Sequence, residues 1–241
     1  MVNCRAENYD SMSRKAAIVI ASQIITKPDS VLGLATGSTP VGTYRYLTEF
    51  SRKSDLDWSR ITTFNLDEYQ GVSPENPHSY HYFMKANLFD QINIQKSNTY
   101  LPDGMDPDAH RACERYDTMI RESGGMDLQL LGLGRNGHIG FNEPGGCFAK
   151  DTHCVNLSRS TIDANTRFFD SRDDVPKRAY TMGINTIMRA KKIILLVSGK
   201  EKADILQKVV CGPVTPEVPA SILQMHGDVT VIADKEALCE V

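Results

Sequence analysis

The chain has 241 residues, of which 41% are hydrophobic and 24% charged, with a net charge of −3. This is the make-up of a globular protein able to bury a sizeable core, and one domain is the expectation. The small negative charge excludes a general attraction to nucleic acid or to an anionic membrane, so any phosphate must be gripped by a few local groups.

The first stretch, Met1–Arg5, has no signal-type apolar core, and no apolar run approaches the roughly 20 residues of a bilayer span. The expectation is a chain that stays in the cytoplasm. Six cysteines (Cys4, Cys113, Cys147, Cys154, Cys211 and Cys239) are scattered without CxxC or Cys/His ligand spacing, which reads as free thiols in a reducing compartment.

Along the chain, Met12, Ala16, Val19, Ile20 and Ile24 form a helical stripe. The apolar run Val31–Ala35 predicts a strand, and it feeds Gly33-Leu34-Ala35-Thr36-Gly37-Ser38-Thr39-Pro40. Thr39 suits a helix cap and Pro40 the first helical position. Small residues and hydroxyls before a helix start can cradle a phosphate, whereas a tight turn with a capping threonine explains the same residues. The segment is neither a Walker loop nor GxGxxG, so no nucleotide is implied.

A second strand is predicted over Ile61–Leu66, running into Phe64-Asn65-Leu66-Asp67-Glu68-Tyr69. A carboxylate at a strand's carboxyl end can act as a general base if partial burial raises its pKa; loop acids facing water are the plainer alternative. Pro107–Glu122 reads as a mostly polar surface helix.

The strand Leu128–Leu133 opens the third motif, Leu131-Gly132-Leu133-Gly134-Arg135-Asn136-Gly137-His138-Ile139-Gly140-Phe141-Asn142-Glu143-Pro144. Its glycines demand unusual backbone angles or close approach. Within this frame His138 can move a proton near neutral pH, and Asn136 and Glu143 can orient it or stabilise its charge.

Gly145–Pro176 is polar, with a helical piece near Ser160–Phe169; it suits either a cover over a site or an ordinary surface insertion. Arg167 within it and Lys202, just after the strand Ile193–Ser198, are candidate phosphate clamps, or else solvated surface charges. A helix over Lys200–Val210, another over Pro219–Met225 and a strand over Val229–Ala233 complete the pattern. Continuous apolar strands alternating with helices predict an α/β fold with a doubly wound, mostly parallel sheet and ligands at the strands' carboxyl ends.

Taken together, LGLATGSTP, FNLDEYQG, LGLGRNGHIGFNEPG, ANTRFF, VPKRAYTMG and SGKEKA resemble the glucosamine-6-phosphate deaminase/isomerase family, in family order from about Val31 to Lys202. The resemblance implies a single-domain, Rossmann-like parallel sheet with helices on both faces over residues 1–241, with 145–176 as an active-site lid. It implies conversion of glucosamine 6-phosphate and water to fructose 6-phosphate and ammonia, in N-acetylglucosamine catabolism, without metal or organic cofactor. Carried over by motif, Asp67 is the base at C2, and His138 opens the sugar ring with support from Asn136 and Glu143. Thr36, Gly37, Ser38 and Thr39 hold the phosphate with Arg167 and Lys202.

Many relatives have Asp at the place of Asn136, so Glu143 becomes the only anion beside His138. Longer relatives form hexamers and respond to N-acetylglucosamine 6-phosphate. Because this sequence stops soon after its last strand, weak or absent activation and a monomer or small homo-oligomer are expected. A 6-phosphogluconolactonase shares the fold but resembles GHTASLFP after the glycine, and needs no C2 base equivalent to Asp67. A sugar-phosphate-sensing domain without turnover is the non-enzymatic alternative.

Overall fold

A computed structural model describes residues 1–53, 56–157, 162–163, 166, 169, 171–172 and 175–239. Among the described residues, ten strands fall in two sheets. The main sheet is built from β1 (Val2–Ala6), β2 (Val31–Leu34), β3 (Thr62–Asn65), β5 (Thr99–Tyr100), β6 (Leu128–Gly132), β9 (Lys192–Val197) and β10 (Val229–Asp234). Their order is β1-β10-β9-β6-β2-β3-β5, and every pairing is parallel. A smaller antiparallel sheet has the order β4-β8-β7, with β4 (Asp67–Tyr69), β7 (His153–Asn156) and β8 (Arg178–Thr181).

The apolar runs are continuous because the main sheet is covered on both faces. Leu32, Leu34, Leu128, Leu130, Ile194 and Leu196 enter one core with α1 (Tyr9–Thr26), α2 (Val41–Arg52) and α3 (Tyr80–Asn87). Their alternate neighbours Val31, Leu131, Ile193, Leu195 and Val197 enter the other. That second core packs against α4 (Ala109–Glu122), α5 (Ile184–Met188), α6 (Ala203–Cys211) and the 3₁₀ segment Pro219–Met225. The doubly wound α/β expectation is met.

Several local expectations are corrected. The first helix stripe buries Met12, Ala16, Ile20 and Ile24 as predicted, but a strand, β1, precedes it. β1 is an edge strand, mostly exposed, so it carries no apolar run. Pro40 stands at the cap of α2, in αR geometry and with no side-chain cap bond, so Thr39 does not cap the helix. Asp108 caps α4 by accepting from Arg111 N, so that helix starts after Pro107, and it buries Cys113, Tyr116 and Ile120 along its inner face. The segment predicted as a helix from Lys200 begins as a 3₁₀ turn, Lys200–Lys202, and Pro219–Met225 is 3₁₀ throughout. Gly145–Pro176 contains β7; its expected helical piece near Ser160–Phe169 lies for the most part outside the described residues. The six cysteines are free thiols. Among the described residues, no helix is long and apolar enough to cross a membrane.

At the end of the sheet away from the carboxyl termini, buried Asp127 accepts from Lys27 Nζ, Lys191 Nζ and the backbone N–H of Val31. Burial raises this carboxyl's pKa, but the two lysines and the Val31 N–H outweigh it and hold the group below its ordinary value. Removing a buried, paired carboxylate strands its donors. Asp127→Ala should therefore destabilise the fold by about 2–4 kcal/mol in denaturant titration, with activity per folded molecule unchanged.

Candidate active site

The carboxyl ends of β2, β3, β6 and β9 bring the singled-out segments to one edge of the sheet, as the ligand rule for open α/β sheets requires. Register explains the placement of Asp67. Chain β3 ends at Asn65; Leu66 N donates to Leu34 O, and Leu66 O accepts from Met182 N. The backbone then leaves the main sheet and Asp67 pairs with Thr181 on β8.

Asp67 is 6% exposed, and its Oδ1 has no hydrogen-bond partner among the described residues. Burial first, then the neighbouring Glu68 carboxylate, push its pKa up to about 8, while a hydrogen bond from Thr36 pulls it down. Glu68 is the contrasting neighbour. It accepts from the backbone N–H groups of Tyr69, Tyr80 and His81, the last two in the first turn of α3. Burial pushes its carboxyl up to about 7, while those donors pull the other way, as does the positive end of the helix.

The loop after β6 is folded around its glycines. A Cβ at Gly134 would lie 2.4 Å from atoms of the His138 ring, so the imidazole occupies the space of a side chain there. Gly134 N donates to His138 O, closing the turn. Gly140 has φ +58°, and a Cβ on it would stand 2.8 Å from Thr181 Oγ1 and 3.7 Å from Asp67 Oδ2. The two glycines thus let the loop approach both its own imidazole and the strand carrying Asp67. Phe141 N donates to Thr181 Oγ1, and Asn142 Nδ2 donates to Ile139 O and Met182 O, fastening the loop to β8 and the residue after it.

His138 Nδ1 lies 3.5 Å from Glu143 Oε2, a charge-pair distance but not a hydrogen bond. Asn136 Nδ2 donates to the same Oε2 at 2.6 Å, and Asn136 Oδ1 accepts from the backbone N–H of His138 at 3.3 Å. Asn136 therefore holds Glu143 and the loop backbone, while His138 Nδ1 takes no hydrogen bond from it.

The Thr36–Thr39 loop is braced by α1 and α2. Tyr44, fully buried, donates to Ala35 O at 2.5 Å and accepts from Ala35 N. Tyr9 Oη donates to Ser38 O and accepts from Gly42 N. Gly37 has φ +94° with open space around it, and Ser38 is exposed. Thr36 turns its hydroxyl to Asp67, while Thr39 lies over Gly132 on neighbouring β6. Lys202 Nζ donates to Leu133 O at 2.7 Å, which stations its ammonium just past the end of β6. Arg167 lies outside the described residues. Its neighbour Phe169 stacks on His78 and meets Tyr69 edge-on.

Sequence reasoning did not find Tyr44, Thr181 and Asn142, because each acts through a contact with distant or backbone atoms. Asn142 and Thr181 had a signal, lying inside the third motif and inside VPKRAYTMG. Among the described residues, no group of three or more His, Cys, Asp or Glu side chains could hold a metal ion.

The family model for glucosamine-6-phosphate isomerases/6-phosphogluconolactonase matches residues 5–232. A glucosamine-6-phosphate deaminase of Halothermothrix orenii is 55% identical over 231 residues, 96% of this chain and 96% of its own. Another, of Lachnoclostridium phytofermentans, is 56% identical over 94% of this chain and 96% of its own. The solved structure of a monomeric glucosamine-6-phosphate deaminase superposes with a TM-score of 0.97 at 46% identity, covering 100% of both chains. A 6-phosphogluconolactonase from Trypanosoma cruzi, 22% identical over 100% of this chain and 96% of its own, shares the fold with a TM-score of 0.77. On that extent of match, the chain belongs to the glucosamine-6-phosphate isomerase/6-phosphogluconolactonase family.

Proposed function

We propose that this chain is a glucosamine-6-phosphate deaminase, converting glucosamine 6-phosphate and water to fructose 6-phosphate and ammonia in the breakdown of amino sugars. The observation that carries the mechanism is the buried Asp67 carboxyl, with one oxygen unpartnered, facing the loop that holds His138.

The closed sugar hides its carbonyl. His138 moves a proton between O5 and O1 to open the ring, and Glu143 stabilises the imidazolium that forms on the way. Once C1 is an aldehyde, the C2 proton is acidic. Asp67 removes it as O1 takes up a proton, giving an enolamine, and returns it to C1 as the amine gives one up, which leaves an imine at C2. Water adds to that imine and ammonia leaves. A dry carboxylate with a raised pKa is a strong base for this step, because the charge it carries is poorly solvated. The Thr36–Thr39 loop and Lys202, with Arg167, hold the phosphate; binding energy gathered far from the reacting carbons positions them.

The same reading has the chain acting as a single domain in the cytoplasm, as a monomer or small assembly, with residues 145–176 covering the site. Support for the cover is the packing of Ile162 and Phe169 against the Tyr69, Tyr80 and Phe141 cluster beside the loop. Support for the assembly is the resemblance to a monomeric deaminase.

Ammonia release from glucosamine 6-phosphate tests the reaction. Wild type should produce ammonia and fructose 6-phosphate in equal amounts, and Asp67→Asn should lower kcat by about 10²–10⁴-fold. Absence of ammonia from folded wild type would refute the deaminase reading.

The raised pKa also has a consequence for stability. Between pH ~4, the unfolded value, and about 8, the folded value, the folded chain binds this proton more tightly than the unfolded chain does. Stability therefore falls as pH rises across that window. Asp67→Asn removes the burden. It should be more stable than wild type by roughly 1–3 kcal/mol at pH 8, with the gain shrinking toward pH 5 in paired thermal melts.

A further inference from the structure

Asp234 ends β10 and is 4% exposed, far along the chain from every motif described above. Its carboxylate takes four hydrogen bonds from three donors. Ser198 Oγ donates to Oδ2 at 2.5 Å, Gly199 N donates to both oxygens at 3.2 Å, and Ala237 N donates to Oδ1 at 2.9 Å. Two of these donors, Ser198 and Gly199, form the turn that leaves β9. That turn is sharp. Gly199 has φ +96°, and a Cβ there would lie 2.5 Å from the Glu201 carboxylate. Three residues after Gly199, Lys202 reaches across to Leu133 O, and Lys202 N donates back to Gly199 O.

We infer that Asp234 is a positioning residue for substrate binding: its carboxylate clasps the Ser198–Gly199 turn and so sets the Lys202 ammonium at the end of β6, where the substrate's phosphate is held. The inference rests on the proposed role of Lys202. A buried carboxylate is costly unless its lone pairs are filled, and here backbone and hydroxyl donors of one strained turn fill most of them. A clasp of this kind fixes backbone geometry, whereas the lysine it positions is long and flexible. Without a fixed turn, Lys202 would lose part of its charge placement to rotamer entropy. Asp234 does not touch the reacting carbons in this arrangement, so its loss should be read in binding and not in the proton transfers.

The test is steady-state kinetics of the full chain with glucosamine 6-phosphate, alongside competitive inhibition by inorganic phosphate. Asp234→Ala should raise KM about tenfold and weaken phosphate inhibition by a similar factor, with kcat within about twofold. Asp234→Asn, which keeps one acceptor oxygen, should fall between Asp234→Ala and wild type. In a Lys202→Met background, Asp234→Ala should add less than about twofold to either quantity, because the charge it positions is gone. If Asp234→Ala does not fold, Ser198→Ala removes the shortest of the four bonds alone and should move both quantities in the same direction by a smaller factor. A loss of kcat with phosphate inhibition unchanged would overturn the inference, as would a tenfold effect undiminished in the Lys202→Met background. If Lys202→Met itself leaves phosphate inhibition unchanged, the role given to Lys202 fails, and the inference with it. If Lys202→Met weakens inhibition but neither Asp234→Ala nor Ser198→Ala does, only the role of Asp234 fails.

Discussion

Keeping the Asp67 carboxyl dry is the constraint on which the remainder of the site depends. Water would lower its pKa, so a carboxyl raised this far needs a surround that excludes solvent without supplying many hydrogen-bond donors. The protein meets this with a short excursion out of the main sheet. Leu66 stays bonded to β2, and the next residue joins a small antiparallel sheet whose partner strand carries Thr181. That hydroxyl is occupied by Phe141 N, so it fastens the histidine loop without neutralising the carboxylate beside it. Glu68, one residue on, is satisfied by backbone N–H groups at the start of α3.

The histidine end of the site follows different physics. There the charge is to be stabilised, not starved. Glu143 stands at charge-pair distance from the imidazole and is itself anchored by Asn136. An aspartate in place of Asn136 would bring a second negative charge to the ring and would face Glu143 across a hydrogen bond that then needs a proton. With Asn136, a single anion serves His138, and the amide's two ends pin both the anion and the backbone of the histidine it serves. The substitution changes what is shared with the ring, while the loop geometry is kept by Gly134 under the imidazole.

How much of this was legible beforehand follows from which interactions are local. The five central strands could be read because both faces of the sheet are buried and most of the runs are apolar, β3 with its Thr-Thr-Phe-Asn being the exception. β4 could not, because it carries Asp-Glu-Tyr, and β7 could not, because its residues are mixed and only partly buried. β1 is exposed along most of its length and β5 is two residues long, so neither leaves a pattern. At the site, Asp67, His138 and Glu143 stood out because glycine and charge cluster around them in sequence. Thr181 bonds a residue 40 positions away, and Tyr44 bonds backbone atoms. Ser198 and Asp234 are 36 apart. Nothing in the neighbouring sequence announces such pairs; only the strand order brings them together.

That strand order also bears on how the chain is made. β1 leaves the ribosome before the other described strands, yet its sheet partner is β10, the last of them in chain order. Every other parallel pairing of the main sheet up to β9 can form before β10 has emerged, whereas β1 has no edge to join until then. The nascent protein thus carries β1 unpaired while the strands between are made. Its exposed pattern, with Asn3 and Arg5 among its five residues, suits a strand that must wait in water without pairing with the wrong edge.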